Sequence, residues 1–492
     1  MYSIYIAIII VPLVFFVAVF FKRFCHQFRL LPSPKESLIT CHYSYFDVHD
    51  HVNTLLNFGK EFKDYGLYTI NTLIGPRQVH LLLPHFIKTV IADGKFFQRS
   101  PVFKAVFPLV GNSMIVSNYE DHHWQRKLFN QAFTSQQLKR YFLAFTLHTD
   151  LLMKLWSCTC DKENGTNLNV WSDLSNLSFD IIGDVGFGYQ FNTITSHSGN
   201  AFTKALRSYI NLRFNSSVVH NVLIAYFPFL MRFLSKFGNL NKAEQVIYNT
   251  LNMLIDKRKK EIENGLVKEE KDFLSIVLKD QQQEKSKLTN DLIRDNLMTL
   301  LIAGHETTST AMLWCLYTLG TNLDVQNKLR EEIKKNVFDI KSILREEVLS
   351  IKYLDCVVKE TLRMHPPASF ISRKNKTETK LGDYDLPAGT FLRISINNVH
   401  MNESVYPDPY LFKPERFMTD EIPPLSFLSF GQGIYNCIGK NFALLEIKTF
   451  LVKALLHFEV SVDPSHVNYT KQILLTLNTV EPIWIRVKSI EE

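Results

Sequence analysis

The sequence has little with which to build a disulfide framework. Its seven cysteines, at positions 25, 41, 158, 160, 315, 356 and 437 of 492, are odd in number and irregularly spaced. That pattern fits a reducing compartment and excludes a small cystine-stapled scaffold. Cys158 and Cys160 form a lone C-x-C in a polar stretch with no second ligand pair, too little for a zinc site. No Pro/Gly/Ser-rich linker, internal repeat or low-complexity tract divides the chain, so one large body is expected over 49–492. A dense basic tract is also missing. The 55 Lys and Arg against 48 Asp and Glu, net +7, are scattered, which argues against nucleic acid as a partner. With 46% hydrophobic and 21% charged residues, the composition is that of a chain able to bury a sizeable core.

Charge is absent altogether from Met1 to Phe21, and Ile4 to Phe21 is almost wholly apolar. At ~1.5 Å per residue such a helix crosses most of a ~30 Å hydrocarbon core. Lys22, Arg23 and Arg29 follow at once, with no small-residue cleavage site, which reads as a retained single-pass transmembrane anchor. The rule that basic flanks stay inside puts the rest of the chain in the cytosol. Residues 22–48, with Pro32 and Pro34, read as a basic, proline-containing linker to the body.

In the body, Tyr68 to Ile70 and Val79 to Leu83, set between Gly66, Gly75-Pro76 and Pro84, suggest a small antiparallel sheet. Apolar spacings of three and four predict helices around 138–155, 174–185, 243–262 and 292–319. Strand-like pieces return at 391–396 and 483–487. The expected class is mainly α with a minor β region.

Two segments carry chemistry. The first runs from Phe430 through Gly433, Tyr435 and Cys437 to Gly439, just before a helical pattern over 440–456. Glycines on both sides of the cysteine let backbone approach a flat cofactor, and a nearby helix N-terminus favours a thiolate. The second is Ala303-Gly304-His305-Glu306-Thr307-Thr308, inside a helix that Asn290 or Asp291 could cap and that is apolar on nearly every face. An acid there is expensive without partners or function. Gly304 would leave room for a ligand, and the Thr307 hydroxyl would reach the Ala303 carbonyl four residues back. Glu360-x-x-Arg363 places opposite charges on one helix face, with Pro414-Glu415-Arg416-Phe417 further on.

Together these segments resemble the cytochromes P-450. The cysteine loop resembles their haem-binding signature, F-x-x-G-x-R-x-C-x-G, at Phe430, Gly433, Cys437 and Gly439. The helix motif resembles their oxygen-activating A/G-G-x-D/E-T-T/S. The resemblance implies haem b with Cys437 as axial ligand to the iron, and a proton-relaying pair in Thr307 and Glu306. It also implies a buried network of Glu360, Arg363 and Arg416, and haem propionates held by Arg126 and Arg373. His122 falls where the family carries a tryptophan. Tyr435 stands where it carries arginine or histidine, and a phenol supplies one neutral hydrogen bond and no charge.

The activity implied is insertion of one oxygen atom of O2 into a lipophilic, sterol- or fatty-acid-like molecule at the endoplasmic reticulum membrane. Electrons would come from NADPH through a reductase drawn to Arg126, Lys127, Lys440 and Lys448. The pocket walls implied are 96–107, Ile302 and Ala303, 368–371 and 474–477, and Tyr226 to Phe229 could meet membrane lipid. Two alternatives stay open: a peroxide-using isomerase or dehydratase of the same fold, and a haem-binding protein with little turnover.

Overall fold

The computed structural model describes residues 31–35, 51–71, 77–101, 103–104, 107–196, 200–214, 239–267, 272–419, 422–464 and 469–490. The expected anchor Met1 to Phe21, and the aromatic run Tyr226 to Phe229, lie outside them. Among the described residues no helix is long and apolar enough to cross a membrane. Leu31 is buried, and the Pro32 carbonyl accepts the Thr69 N–H at 2.8 Å, so this part of the linker lies against the body.

The body is mainly helical. The helices that position the site are α1 (His51–Glu61), α2 (Tyr119–Phe129), α3 (Ser135–Thr159), α4 (Val170–Phe187), α5 (Ala201–Phe214), α6 (Asn290–Thr321), α7 (Lys352–Met364) and α8 (Lys440–His457). The four helices read from periodicity are all present; that of 243–262 spans Asn239–Glu263. The 32-residue α6 runs through the core, with Leu297, Leu301, Met312 and Leu316 fully buried. Its cap is Thr289 and not Asn290 or Asp291. Thr289 keeps extended backbone and its side chain accepts the Leu292 N–H at 3.1 Å, whereas 290 is already helical.

A five-stranded sheet lies beside the bundle, built from β1 (Leu67–Ile70), β2 (Gln78–Leu81), β3 (Phe97–Arg99), β4 (Phe370–Asn375) and β5 (Phe391–Ser395), in the order β1-β2-β5-β4-β3. The first two strands pair antiparallel as read from the sequence. The sheet as a whole is mixed, because β2 pairs parallel with β5 from the far end of the chain. Strand β4 escapes a reading by alternation, since Arg373 and Asn375 occupy its inward positions with Ile371.

Candidate active site

The cysteine loop is held from three sides. The Cys437 N–H donates to the Phe430 carbonyl at 2.8 Å and the Asn436 N–H to Gly433, which folds the loop on itself three residues before α8. Gly433 has φ +72, and a Cβ there would stand 2.7 Å from the Ile91 carbonyl, so glycine is required. Gly439 lies at φ −87 with only ordinary contacts around it and needs no positive φ. Phe430 packs against the main core, with the Lys440 ammonium 5.9 Å from its ring centre. Cys437 has exposed surface. Although the residue reaches the surface, the protein packed around the sulfur desolvates it and raises its thiol pKa, opposed by the Gly439 N–H and by the charges of Arg126 and Lys440.

The second support is α7. Arg363 meets Glu360 through Nε at 2.7 Å and Nη2 at 2.9 Å, and Arg416 Nε meets the same carboxylate at 3.2 Å. Both acid and arginine are wholly buried. Arg363 also donates to the His400 carbonyl at 2.9 Å, His400 Nδ1 lies 2.9 Å from the Arg363 carbonyl, and His400 Nε2 accepts the Leu428 N–H at 2.8 Å. The Ser429 hydroxyl donates to Leu362 at 2.9 Å. The expected three-way network therefore leads directly into the segment that carries Cys437.

The third support is α2. Arg126 donates to the Asn436 carbonyl at 2.6 Å, to its side chain at 2.8 Å and to Asn130 at 3.0 Å. Its guanidinium clamps the residue before Cys437, which leaves it less available to a propionate than expected. His122 is buried one turn earlier, its ring 4.6 Å from that of Tyr435 and its Nε2 without a partner.

Tyr435 departs from expectation. Its hydroxyl donates to the Gly94 carbonyl at 2.9 Å, so the one donor of the phenol is taken by the protein. Its ring instead carries two guanidiniums, Arg99 at 4.6 Å and Arg373 at 4.8 Å from the centre. Burial lowers Arg99 to about 9, with Arg373 adding to the effect, and lowers Arg373 to about 10. The Nε of each is buried and unpartnered, and neither meets a carboxylate among the described residues. Two cations this close call for an anion between them. Arg99 falls in the stretch 96–107 read as pocket wall, but its place as a cation beside Tyr435 is not visible in the sequence. It comes from β3, and only the register Arg99↔Arg373 brings it to the site.

In the largely buried middle of α6, Ala303 is exposed and Gly304 and Thr307 are partly exposed, while Ile302 is buried in the core. The Thr307 hydroxyl donates to the Ala303 carbonyl at 2.6 Å, as the spacing predicts. Gly304 makes no room for a ligand. A Cβ there would sit 2.6 Å from Ile182 Cδ1, so the glycine admits close packing against α4. Glu306 is 7% exposed, and burial raises it to about 7 against the opposing pull of Arg207 on α5. His305 faces the Ser175 hydroxyl at 2.9 Å and is held to about 3, neutral, by burial and by Arg207.

The family model for Cytochrome P450 matches residues 32–484. The chain belongs to the cytochrome P450 family.

Cytochrome P450 4X1 of Homo sapiens is 27% identical over 411 residues, covering 80% of this chain and 78% of that protein. Taurochenodeoxycholic 6 alpha-hydroxylase of Sus scrofa is 28% identical, with 78% and 77% covered. Cytochrome P450 4d1 of Drosophila melanogaster is 28% identical over 502 residues, with 95% of each covered. The protein is accordingly an oxidoreductase, a monooxygenase of this family, and its cofactor is haem b. The residues present suit that group: an accessible cysteine, and beside it two guanidiniums whose Nε atoms are buried without a partner, fit for its carboxylates. Among the four basic residues expected to draw a reductase, Lys127 and Lys440 are exposed. Lys448 is not available, being 7% exposed and bonded to Asp355 at 2.6 Å.

Proposed function

We propose that the protein inserts one oxygen atom of O2 into a lipophilic amphiphile, a sterol- or fatty-acid-like molecule, using electrons from NADPH delivered by a membrane reductase. The observation that carries this reading is the placing of the Arg99 and Arg373 guanidiniums over the ring of Tyr435, two residues before Cys437.

Haem, when bound, supplies the oxygen-activating chemistry, with thiolate donation favouring O–O cleavage. Cys437 would be the ligand to its iron. Arg99 and Arg373 would neutralise the propionates, with His122 offering a further donor beside them. Thr307 holds a hydroxyl toward the open side of α6, and Glu306, poised to exchange a proton near neutral pH, lies next to it in the helix. Glu360, Arg363 and Arg416 fix the loop's position and take no part in the chemistry. Met1 to Phe21 anchors the chain in the endoplasmic reticulum membrane with the body in the cytosol, and Lys127 and Lys440 offer positive charge to the reductase.

The test is NADPH and oxygen consumption with reductase present, across a panel of fatty acids and sterols, with product analysed for label from 18O2. Labelled product whose amount follows NADPH use is expected. Conversion of a lipid peroxide without NADPH, and no labelled product, would replace this reading with that of an isomerase. A Cys437→Ala variant that keeps the red-shifted Soret band of the reduced carbon-monoxide complex would remove Cys437 as ligand.

A further inference from the structure

One row of side chains crosses the sheet on the face turned away from its main apolar layer. Tyr68 pairs with His80, His80 with Arg393 and Arg393 with Ser372, across four strands. The opposite face carries Leu67, Val79, Leu81, Leu392, Ile394 and Ile371, one contiguous apolar cluster.

Arg393 is the anomaly in that row. Its guanidinium lies 3.7 Å from the Phe370 ring centre and Nη1 donates to Gln78 Oε1 at 2.8 Å, but Nε is buried without a partner. No carboxylate meets it among the described residues. Other enclosed arginines are compensated: Arg363 and Arg416 by Glu360, and Arg258 by Asp272. Arg99 and Arg373 are assigned to the haem. Beneath Arg393, His80 is 1% exposed and neither ring nitrogen has a partner, while its ring stacks on Tyr68 at 4.8 Å. Burial pushes Arg393 down to about 10, which still leaves it charged at neutral pH, and burial with the Arg393 charge keeps His80 neutral. A cation held over an aromatic ring beside an unsatisfied imidazole is costly unless an anion completes it.

The surroundings are apolar. Phe370 belongs to the stretch 368–371 read as pocket wall. It packs with Ile473 and Leu82 against a small apolar cluster of Leu55, Phe58 and Ile70. Arg393, Gln78 and Phe370 are each partly exposed, so the guanidinium can be approached along this apolar wall.

We infer that Arg393, with Gln78 and His80, forms an anion-recognition site for the carboxylate end of an amphiphilic substrate whose tail lies along Phe370. This rests on the lipid-monooxygenase reading above and narrows it to acidic amphiphiles. Arg393 supplies the charge. Gln78 orients the guanidinium, and the His80 imidazole offers one N–H toward a carboxylate oxygen or the water that bridges to it.

The test is calorimetric binding of dodecanoate and of dodecan-1-ol to the full-length haem-loaded protein in detergent, for wild type, Arg393→Leu and Arg393→Lys. Wild type is expected to prefer the acid by about tenfold or more, the usual worth of a charge-assisted hydrogen bond. Arg393→Leu should bring the ratio to about one by weakening the acid alone, and Arg393→Lys should keep part of the preference. If the leucine variant does not retain its haem spectrum, Arg393→Gln is read in the same way. A preference unchanged by loss of the charge overturns the site and leaves the monooxygenase reading standing. Binding of neither lipid by wild type overturns the lipid reading itself. Displacement of dodecanoate by millimolar acetate would mark a site for small ions and overturn the assignment to an amphiphile.

Discussion

The Arg99 guanidinium lies 4.6 Å from the centre of the Tyr435 ring, while Arg373 takes up a similar distance of 4.8 Å. The position at which the family carries a cation in the cysteine loop is thus served by a cation from β3, with the phenol as its platform. Tyr435→Arg would force a third guanidinium against two that are already buried. The variant is expected to lose haem to apomyoglobin faster than wild type. Tyr435→Phe, which gives up only the bond to Gly94, should cost about 1 kcal/mol of stability and leave the transfer rate nearly unchanged.

Arg99→Leu is expected to weaken haem retention by about tenfold or more, because a charge-assisted bond worth about 1.5–3 kcal/mol is removed. The same haem-transfer measurement checks it. Loss rates equal to wild type would leave Arg373 as sufficient by itself and deny Arg99 the role.

That arginine also shows where sequence reading stops. Cys437, Glu306 and Thr307 stand out in the sequence because each lies in a short segment that resembles a family motif. Arg99 sits in Phe96-Phe97-Gln98-Arg99-Ser100, a run with no local motif, and is brought beside Arg373 only through the pairing of its strand with residues 373–375. His400 was missed for the same reason, since its importance comes from reaching Leu428. Gly304 was visible but misread. Sequence gives its small size, and only the contact with Ile182 says which neighbour needs it.

Thr307→Ala should retain haem and substrate binding and divert electrons from product to hydrogen peroxide. Among the described residues the hydroxyl that is removed bonds to its own helix alone, at the Ala303 carbonyl, so packing is little disturbed. Peroxide formed per NADPH, measured beside product, decides the matter; unchanged coupling would deny Thr307 its part in proton delivery.

Glu306 titrates near neutrality because burial raises it to about 7, with Arg207 pulling in the other direction. It is protonated below that pH and ionised above it. Coupling of NADPH to product is therefore expected to fall as pH rises through about 7, and Glu306→Gln should flatten the profile. Arg207→Leu should move the midpoint upward, since the cation that favours the carboxylate is gone.

Glu360→Leu would strand Arg363, which is 0% exposed, without its anion. Losing one partner of a buried pair costs about 3–5 kcal/mol. The yield of folded haem protein should drop sharply, and the survivors should unfold at lower urea. An Arg416→Lys variant, whose guanidinium contacts lie nearer solvent, should lose much less.

The glycine at 304 has one more consequence. Because a Cβ at 304 would stand 2.6 Å from Ile182 Cδ1, bulk added there has to be taken up first by the Ile182 side chain on α4. The exposed surface at Ala303 and Thr307 thus depends on a neighbouring position in the helix where no side chain is tolerated without a shift at Ile182.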